Sequence, residues 1–185
     1  MNHLATSKED ILAASRDLIK ENGWAAVSIR AVASRCSVSA GTIYNYYESK
    51  ADLLSDTIES IWHEIFFHPE DEQVFHDVES CISWIYERLE YGNSQFPGFF
   101  SLHSFGFMRD EKTSGKKKMM QTWGHILNGL CEVLENDPKV RSDVFDKEFT
   151  EKKFADILFS LILVSMIRQD YDPSSVLMLV KKTLY

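Results

Sequence analysis

The sequence predicts an all-α protein, with an N-terminal three-helix head containing a helix-turn-helix and a larger C-terminal helical body. Three observations lead there. Apolar residues recur at i, i+3 and i+4 spacing along the chain, and there is no strand-like alternation, internal repeat or low-complexity tract. Hydroxyl caps, Gly and Pro fall at the joints between these stretches. Residues 28–50 read as two short helices joined by a tight turn, the second crowded with hydroxyl, aromatic and amide groups. Such a surface is poor core material but suits a DNA groove.

In chain order, Thr6 and Glu9 predict a capping box for a first helix whose Ile11, Ala14, Leu18 and Ile19 face inward until Gly23 stops it. Ser28 caps a second helix with Ile29, Val32 and Ala33 on its apolar face. After a break at Ser37, Val38 plugs the turn and Ser39 caps the third helix. There Gly41 permits close approach to another backbone, and Ile43 and Tyr47 face the core. That leaves Ser39, Ala40, Thr42, Tyr44, Asn45 and Tyr46 on the outer and N-terminal faces. Such groups can hydrogen-bond phosphates and base edges or pack on thymine methyls. Ser49 caps a long fourth helix to about residue 67, with Asp52 at N3 and Lys50 in the first turn. A cation is unfavourable there for the helix dipole, and a DNA phosphate is its natural partner.

The fourth helix places Leu54, Ile58, Ile61 and Ile65 on one face, with Trp62 and Phe66 beside it. A fifth helix is expected over 70–93, a break at Pro97-Gly98, a short aromatic helix over 99–109 and a loop over 112–115. A further helix over 116–135 should precede a break at Asn136-Asp137-Pro138. The helices over 151–169 and 174–184 close the chain; the former is apolar around most of its circumference, which calls for burial on two sides. One side is its own core. The other is either a central core position or a twin subunit.

Composition fits a soluble, intracellular protein. With 185 residues and 44% hydrophobic content, the chain can build a head and a sizeable core. Its net charge of −8 is unevenly spread: residues 1–50 hold six Lys/Arg against five Asp/Glu, so the acidity lies beyond residue 50. Cys36, Cys81 and Cys131 lack CxxC spacing, which argues against a disulfide framework or zinc site and for a reducing cytosol. No signal peptide is expected, and the most apolar run, 157–167, is too short to span a bilayer. His63 and His68 lie on different faces, and His76, His103 and His125 lack ligand partners at metal spacing. Lys116, Lys117 and Lys118 form a solvated patch. No catalytic triad, phosphate loop or HExxH occurs, so neither cofactor nor enzymatic activity is expected.

Gly23-Trp24, Val27-Ser28-Ile29-Arg30, Val32-Ala33 and above all Val38-Ser39-x-Gly41-Thr42-Ile43-Tyr44-x-Tyr46-Tyr47-x-Ser49-Lys50-x-x-Leu53 resemble the TetR family of bacterial regulators across residues 6–66. The resemblance implies a DNA-binding domain over 1–48, with the helix-turn-helix over about 27–46, and a regulatory and dimerisation domain over 49–185. It implies that Ser28 and Lys50 hold phosphates, that Arg30 reaches a base edge, and that Ser39, Ala40, Thr42, Tyr44, Asn45 and Tyr46 form the recognition surface. It also implies a homodimer through residues 151–184 and hence a palindromic double-stranded operator. Two departures stand out. Cys36-Ser37 replaces the family's usual Ala-Gly, so Ser37 must adopt positive φ at a cost of about 1 kcal/mol. Tyr47 replaces the usual Phe, and its hydroxyl needs a partner.

The body's aromatic residues suggest a ligand pocket for a hydrophobic or planar effector, with Trp84, His103, Phe107 and Trp123 as candidate contacts. Each ring could equally be core filling. The leading expectation is a cytoplasmic repressor released by such an effector. The alternatives are a protein of the same fold controlled by a protein partner, and a small-molecule carrier that no longer binds DNA.

Overall fold

A computed structural model describes residues 6–66, 75–100 and 114–185, giving backbone only for 114–119 and 122. Helix α1 spans Lys8–Asn22, a 3-10 turn Trp24–Ala26, α2 Ile29–Arg35, α3 Ala40–Tyr44 and α4 Lys50–Phe66. The body continues with α5, Val78–Gln95, α6, Ser114–Asn136, α7, Glu151–Arg168, and α8, Ser174–Leu184. The described structure is all helix and connection, as the periodicity predicts.

The head packs α1 on α2, α2 on α3 and α1 on α4. Ile11, Ile19, Val27, Val32, Ile43, Tyr47 and Leu53 are buried together at its centre. The capping box of α1 lies one residue later than expected: Ser7 Oγ accepts the Asp10 N–H at 3.1 Å, and Asp10 accepts the Ser7 N–H at 2.8 Å. Thr6 is buried and its carbonyl is taken by Tyr46, so the surface Ser7 is the hydroxyl able to meet the N3 amide. Gly23, at φ 76°, ends the helix.

Ser28 and Ser39 cap α2 and α3 as the sequence requires, accepting the N–H groups of Ala31 and Thr42. Between them Ser37 has φ 56°. Its N–H bonds to the Ser34 carbonyl and that of Val38 to the Ala33 carbonyl, the paired bonds of a Schellman motif. The turn thus keeps a glycine geometry without a glycine. Gly41 departs from expectation, since a Cβ there would meet only Ser39 Oγ, at 3.5 Å, and no other backbone approaches.

In the body, α6 packs on α4, α5 and α7, and α8 packs on α5. Helix α5 starts at Val78, later than the expected residue 70; residues 75–77 are non-helical, and residues 70–74 lie outside the described residues. The physical cause is Asp77, an N-cap whose carboxylate accepts the Ser80 N–H at 2.7 Å and pairs with Lys139 at 2.7 Å. Beside it, buried Asp137 accepts the Val78 N–H at 2.9 Å and the Tyr185 hydroxyl, joining the ends of α5, α6 and α8. Ser114 and Gly115 belong to α6 rather than to a loop. Pro97-Gly98 breaks the chain, with Gly98 at φ 78°; of the aromatic helix expected over 99–109, only Phe99 and Phe100 are described, and both are helical.

Head and body meet along α4. Lys8 pairs with Asp56, and Arg16 and Lys20 both pair with Glu64. Asp56, Arg16 and Glu64 are half-buried, so these pairs hold α1 against α4 in one register. The other end of α4 is held differently. Residue 69 is Pro, which has no N–H to give the carbonyl four residues back. Arg88 of α5 supplies that donor: its Nε–H bonds to the Ile65 carbonyl, and its Nη2–H bonds to the Glu64 carbonyl beside it. At the same crossing Gly92 lets the helices close, since a Cβ there would lie 2.6 Å from Ile65 Cδ1.

Candidate DNA-binding interface and body cavity

The N-termini of α2 and α3 and the start of α4 place most of the expected recognition residues on the surface. Tyr44, 55% exposed, and Asn45 end α3. Thr42 is half-buried, its hydroxyl 3.0 Å from Ser39 Oγ, so the two hydroxyls share one proton and leave the other to donate outward. Ser28 Oγ accepts an amide and keeps its own O–H to donate. Ala40 is half-buried. Arg30 and Lys50 are exposed and form no ion pair with any described carboxylate, unlike Arg35, which is clamped by Glu21. Free cations beside unclaimed hydroxyls are what a phosphate backbone needs.

Tyr46 departs from the sequence expectation. Its half-buried hydroxyl donates to the Thr6 carbonyl at 2.7 Å. It fastens the segment before α1 to the end of α3, and that hydroxyl is not available to a base. Local sequence cannot reveal this bond, because it spans 40 residues. Tyr47 is buried under the ammonium of Lys8, and its hydroxyl has no partner among the described residues. Burial, with Asp56 and Glu9 adding to it, pushes that phenol well above the usual tyrosine range.

The body contains a cavity of about 510 Å³ between the end of α4, the start of α5 and α6. Phe66, Phe75 and Trp84 make an aromatic wall, with Phe75 and Trp84 centroids 5.3 Å apart and Phe66 and Trp84 6.0 Å apart. Cys81, Ile85 and Leu130 line it further; burial raises the Cys81 thiol to about 12, so it is a packing group there. His125, Glu132 and Asn136 stand exposed along one face of α6 at its rim. Of the four expected pocket residues, Trp84 lines the cavity. Trp123 does not: it is buried against Phe159, with ring centroids 5.9 Å apart. His103 and Phe107 lie outside the described residues. The rim of α6 was missed, although residues 125, 129, 132 and 136 repeat at helical spacing.

A line of rings links the cavity to the head. Phe66 stacks on Trp62 at 5.7 Å, Trp62 meets Phe99 at 5.2 Å, and Phe99 stacks on Trp24 at 5.8 Å, in the turn just before Ser28. Among the described residues no group of three or more His, Cys, Asp or Glu could hold a metal ion, and no helix is long and apolar enough to cross a membrane.

These features define a helix-turn-helix protein with a helical body. Residues 11–57 match the profile of the bacterial regulatory proteins of the tetR family. Over 48 residues the chain is 38% identical to the HTH-type transcriptional regulator UidR of Escherichia coli K12; the match covers 26% of this chain and spans only about a quarter, 24%, of that relative. The whole chain shares its fold with a TetR transcription regulator from Haloarcula marismortui, at TM-score 0.71 and 17% identity over 96% of this chain and 98% of that one. It also shares it with the regulator FadR from Bacillus subtilis in complex with stearoyl-CoA, at TM-score 0.66 and 18% identity over 97% and 100%. Residues 11–57 are thus similar to the DNA-binding domain of the tetR family, and the fold of the chain is that of the solved regulators.

Proposed function

We propose that the chain is a cytoplasmic, non-enzymatic transcriptional repressor that binds a palindromic operator as a homodimer and is released by a small apolar or aromatic effector. The observation that carries the reading is the surface of half-buried Thr42 and exposed Tyr44 and Asn45, flanked by Arg30 and Lys50, which form no ion pair among the described residues. Residues 1–48 are the reader in this proposal and residues 49–185 the regulatory body. Tyr44 and Asn45 read base edges from the major groove, Arg30 reaches a further edge, and Ser28, Ser39 and Lys50 fix phosphates. Ala40 allows close approach, and Tyr46 braces the reader.

Dimerisation through α7 and α8 is supported by their exposed apolar residues: Ile157, Val164 and Ile167 on the first, Met178 and Leu179 on the second. Two such helices from each subunit make a four-helix interface and a two-fold axis. The cavity favours a small-molecule effector over a protein partner. Phe66, at the cavity wall, lies on the same helix whose first turn carries Lys50. A ligand acts only through its differential affinity for the DNA-competent and incompetent dimers.

A gel shift on the DNA upstream of the chain's own coding sequence tests the reading. Specific retardation is expected and should be lost in Tyr44→Ala, with helicity and dimer mass unchanged. Failure to bind any palindromic site there at low salt would leave the carrier reading in its place.

A further inference from the structure

We infer that Arg88, Gly92 and Phe96 form a mount on α5 that fixes the angle of the head, and so sets the separation at which a dimer reads its two half-sites. The inference rests on the operator-binding homodimer proposed above and names what determines its operator geometry. The three residues recur at i, i+4 and i+8, and the Phe96 N–H still bonds to the Gly92 carbonyl at 2.9 Å, so they share one face of the helix. Each offers the head a different contact. Arg88 is a fork: its Nε–H and Nη2–H donate to two successive carbonyls in the last turn of α4, the Glu64 carbonyl at 3.2 Å. Its guanidinium is steadied 4.6 Å from the Tyr91 ring centroid. Two bonds from a planar group fix a direction as well as a position, which an ammonium cannot do.

Gly92 is a gap, since a Cβ there would fall 2.6 Å from Ile65 Cδ1, and α4 crosses α5 closer than a side chain allows. Phe96 is a buried ring: Lys20 of α1 holds its ammonium 4.9 Å from the ring centroid while pairing with Glu64 at 2.6 Å. Eight residues, about 12 Å along α5, separate the fork from the ring. The head is thus gripped on two of its helices at separate points, which removes its freedom to pivot about the crossing. The reader magnifies any error in that grip. Lys50 lies fourteen residues before Glu64, about 21 Å along α4. A tilt of about 10° at the mount moves Lys50 by about 3.7 Å, roughly the rise of one base pair. In a two-fold dimer both readers shift, so the mount decides which half-site separation is met.

Gel-shift titration of the full-length parent, Arg88→Lys and Lys20→Met gives the test. The probes are the palindromic duplex from the upstream DNA and copies with one or two base pairs inserted or deleted at its centre. The parent should lose at least tenfold in affinity, about 1.4 kcal/mol, for a change of one base pair. In both variants that loss should shrink severalfold, or the preferred separation should move by a base pair, with dimer mass unchanged. Arg88→Lys keeps the charge and loses the fork. Lys20→Met keeps an apolar stem at a partly exposed site, so it folds even where the first variant does not. A parent-like spacing profile in either folded variant overturns the mount and leaves operator binding intact. Failure of the parent to bind any palindromic site overturns the dimeric reader and the mount together.

Discussion

At the scale of single residues, Ser37 and Tyr47 are where this head departs from the pattern it resembles, and each has a measurable cost. Ser37 keeps the left-handed backbone at φ 56° that glycine would adopt freely. Ser37→Gly is therefore expected to raise stability by about 0.5–1 kcal/mol in urea unfolding, the gain being trimmed by glycine's freer unfolded chain. A loss would mean the turn depends on the serine side chain. Tyr47 buries a hydroxyl that no described group satisfies. Tyr47→Phe should leave stability unchanged or raise it by about 1 kcal/mol, because the ring stays and the desolvation penalty goes. A fall in melting temperature would reveal a hidden partner. Both sites were legible in the sequence, since each is a single substitution against a strict local geometry. The commitment of Tyr46 to Thr6 was not, because nothing local distinguishes an outward from an inward tyrosine at the end of so short a helix.

At the scale of elements, caps decide where helices begin. Asp77 holds the start of α5, and the ammonium of Lys139 together with the N–H and hydroxyl of Ser80 lowers its carboxyl to about 2 from 3.8. The folded value lies below the unfolded one, so the stabilisation is complete above about pH 4 and is lost as pH falls toward 2. Asp77→Asn, which keeps a capping oxygen but no charge, should flatten the stability profile between pH 4 and pH 2 and lower stability at pH 7 by about what the parent loses over that range. A profile unchanged from the parent would remove Asp77 as the source. Helix periods made α1 to α4, α7 and α8 readable to within a residue or two. The start of α5 was not, because Val74 stands at helical spacing before Val78 and only the Asp77 cap interrupts it, and the cap's partner Lys139 lies 62 residues away.

At the scale of the whole molecule, the charge distribution sets how the proposed dimer meets DNA. Among the described residues Arg30 and Lys50 are the cations of the proposed reading surface without an ion pair, and in the proposal only Lys50 meets a phosphate, two in a dimer. A log–log plot of operator affinity against salt should therefore have a slope of about −2. A slope of about −4 would put Arg30 on a phosphate as well, and a steeper one would place further cationic contacts outside the residues named. The reader's layout could be inferred from about a dozen local positions. The cavity could not be, because it forms where α4, α5 and α6 converge from distant parts of the chain, and of the two expected contacts that are described Trp84 lines it and Trp123 does not.

The ring line between cavity and head has a practical consequence. Its three tryptophans occupy three levels: Trp84 in the cavity wall, Trp62 on α4, and Trp24 at the entrance to the reader. Each can be left as the sole emitter on that line by replacing the other two with Phe, with Trp123 replaced as well. The molecule is thereby supplied with intrinsic optical markers, so ligand arrival, movement of α4 and displacement of the head can be timed separately without attaching a dye.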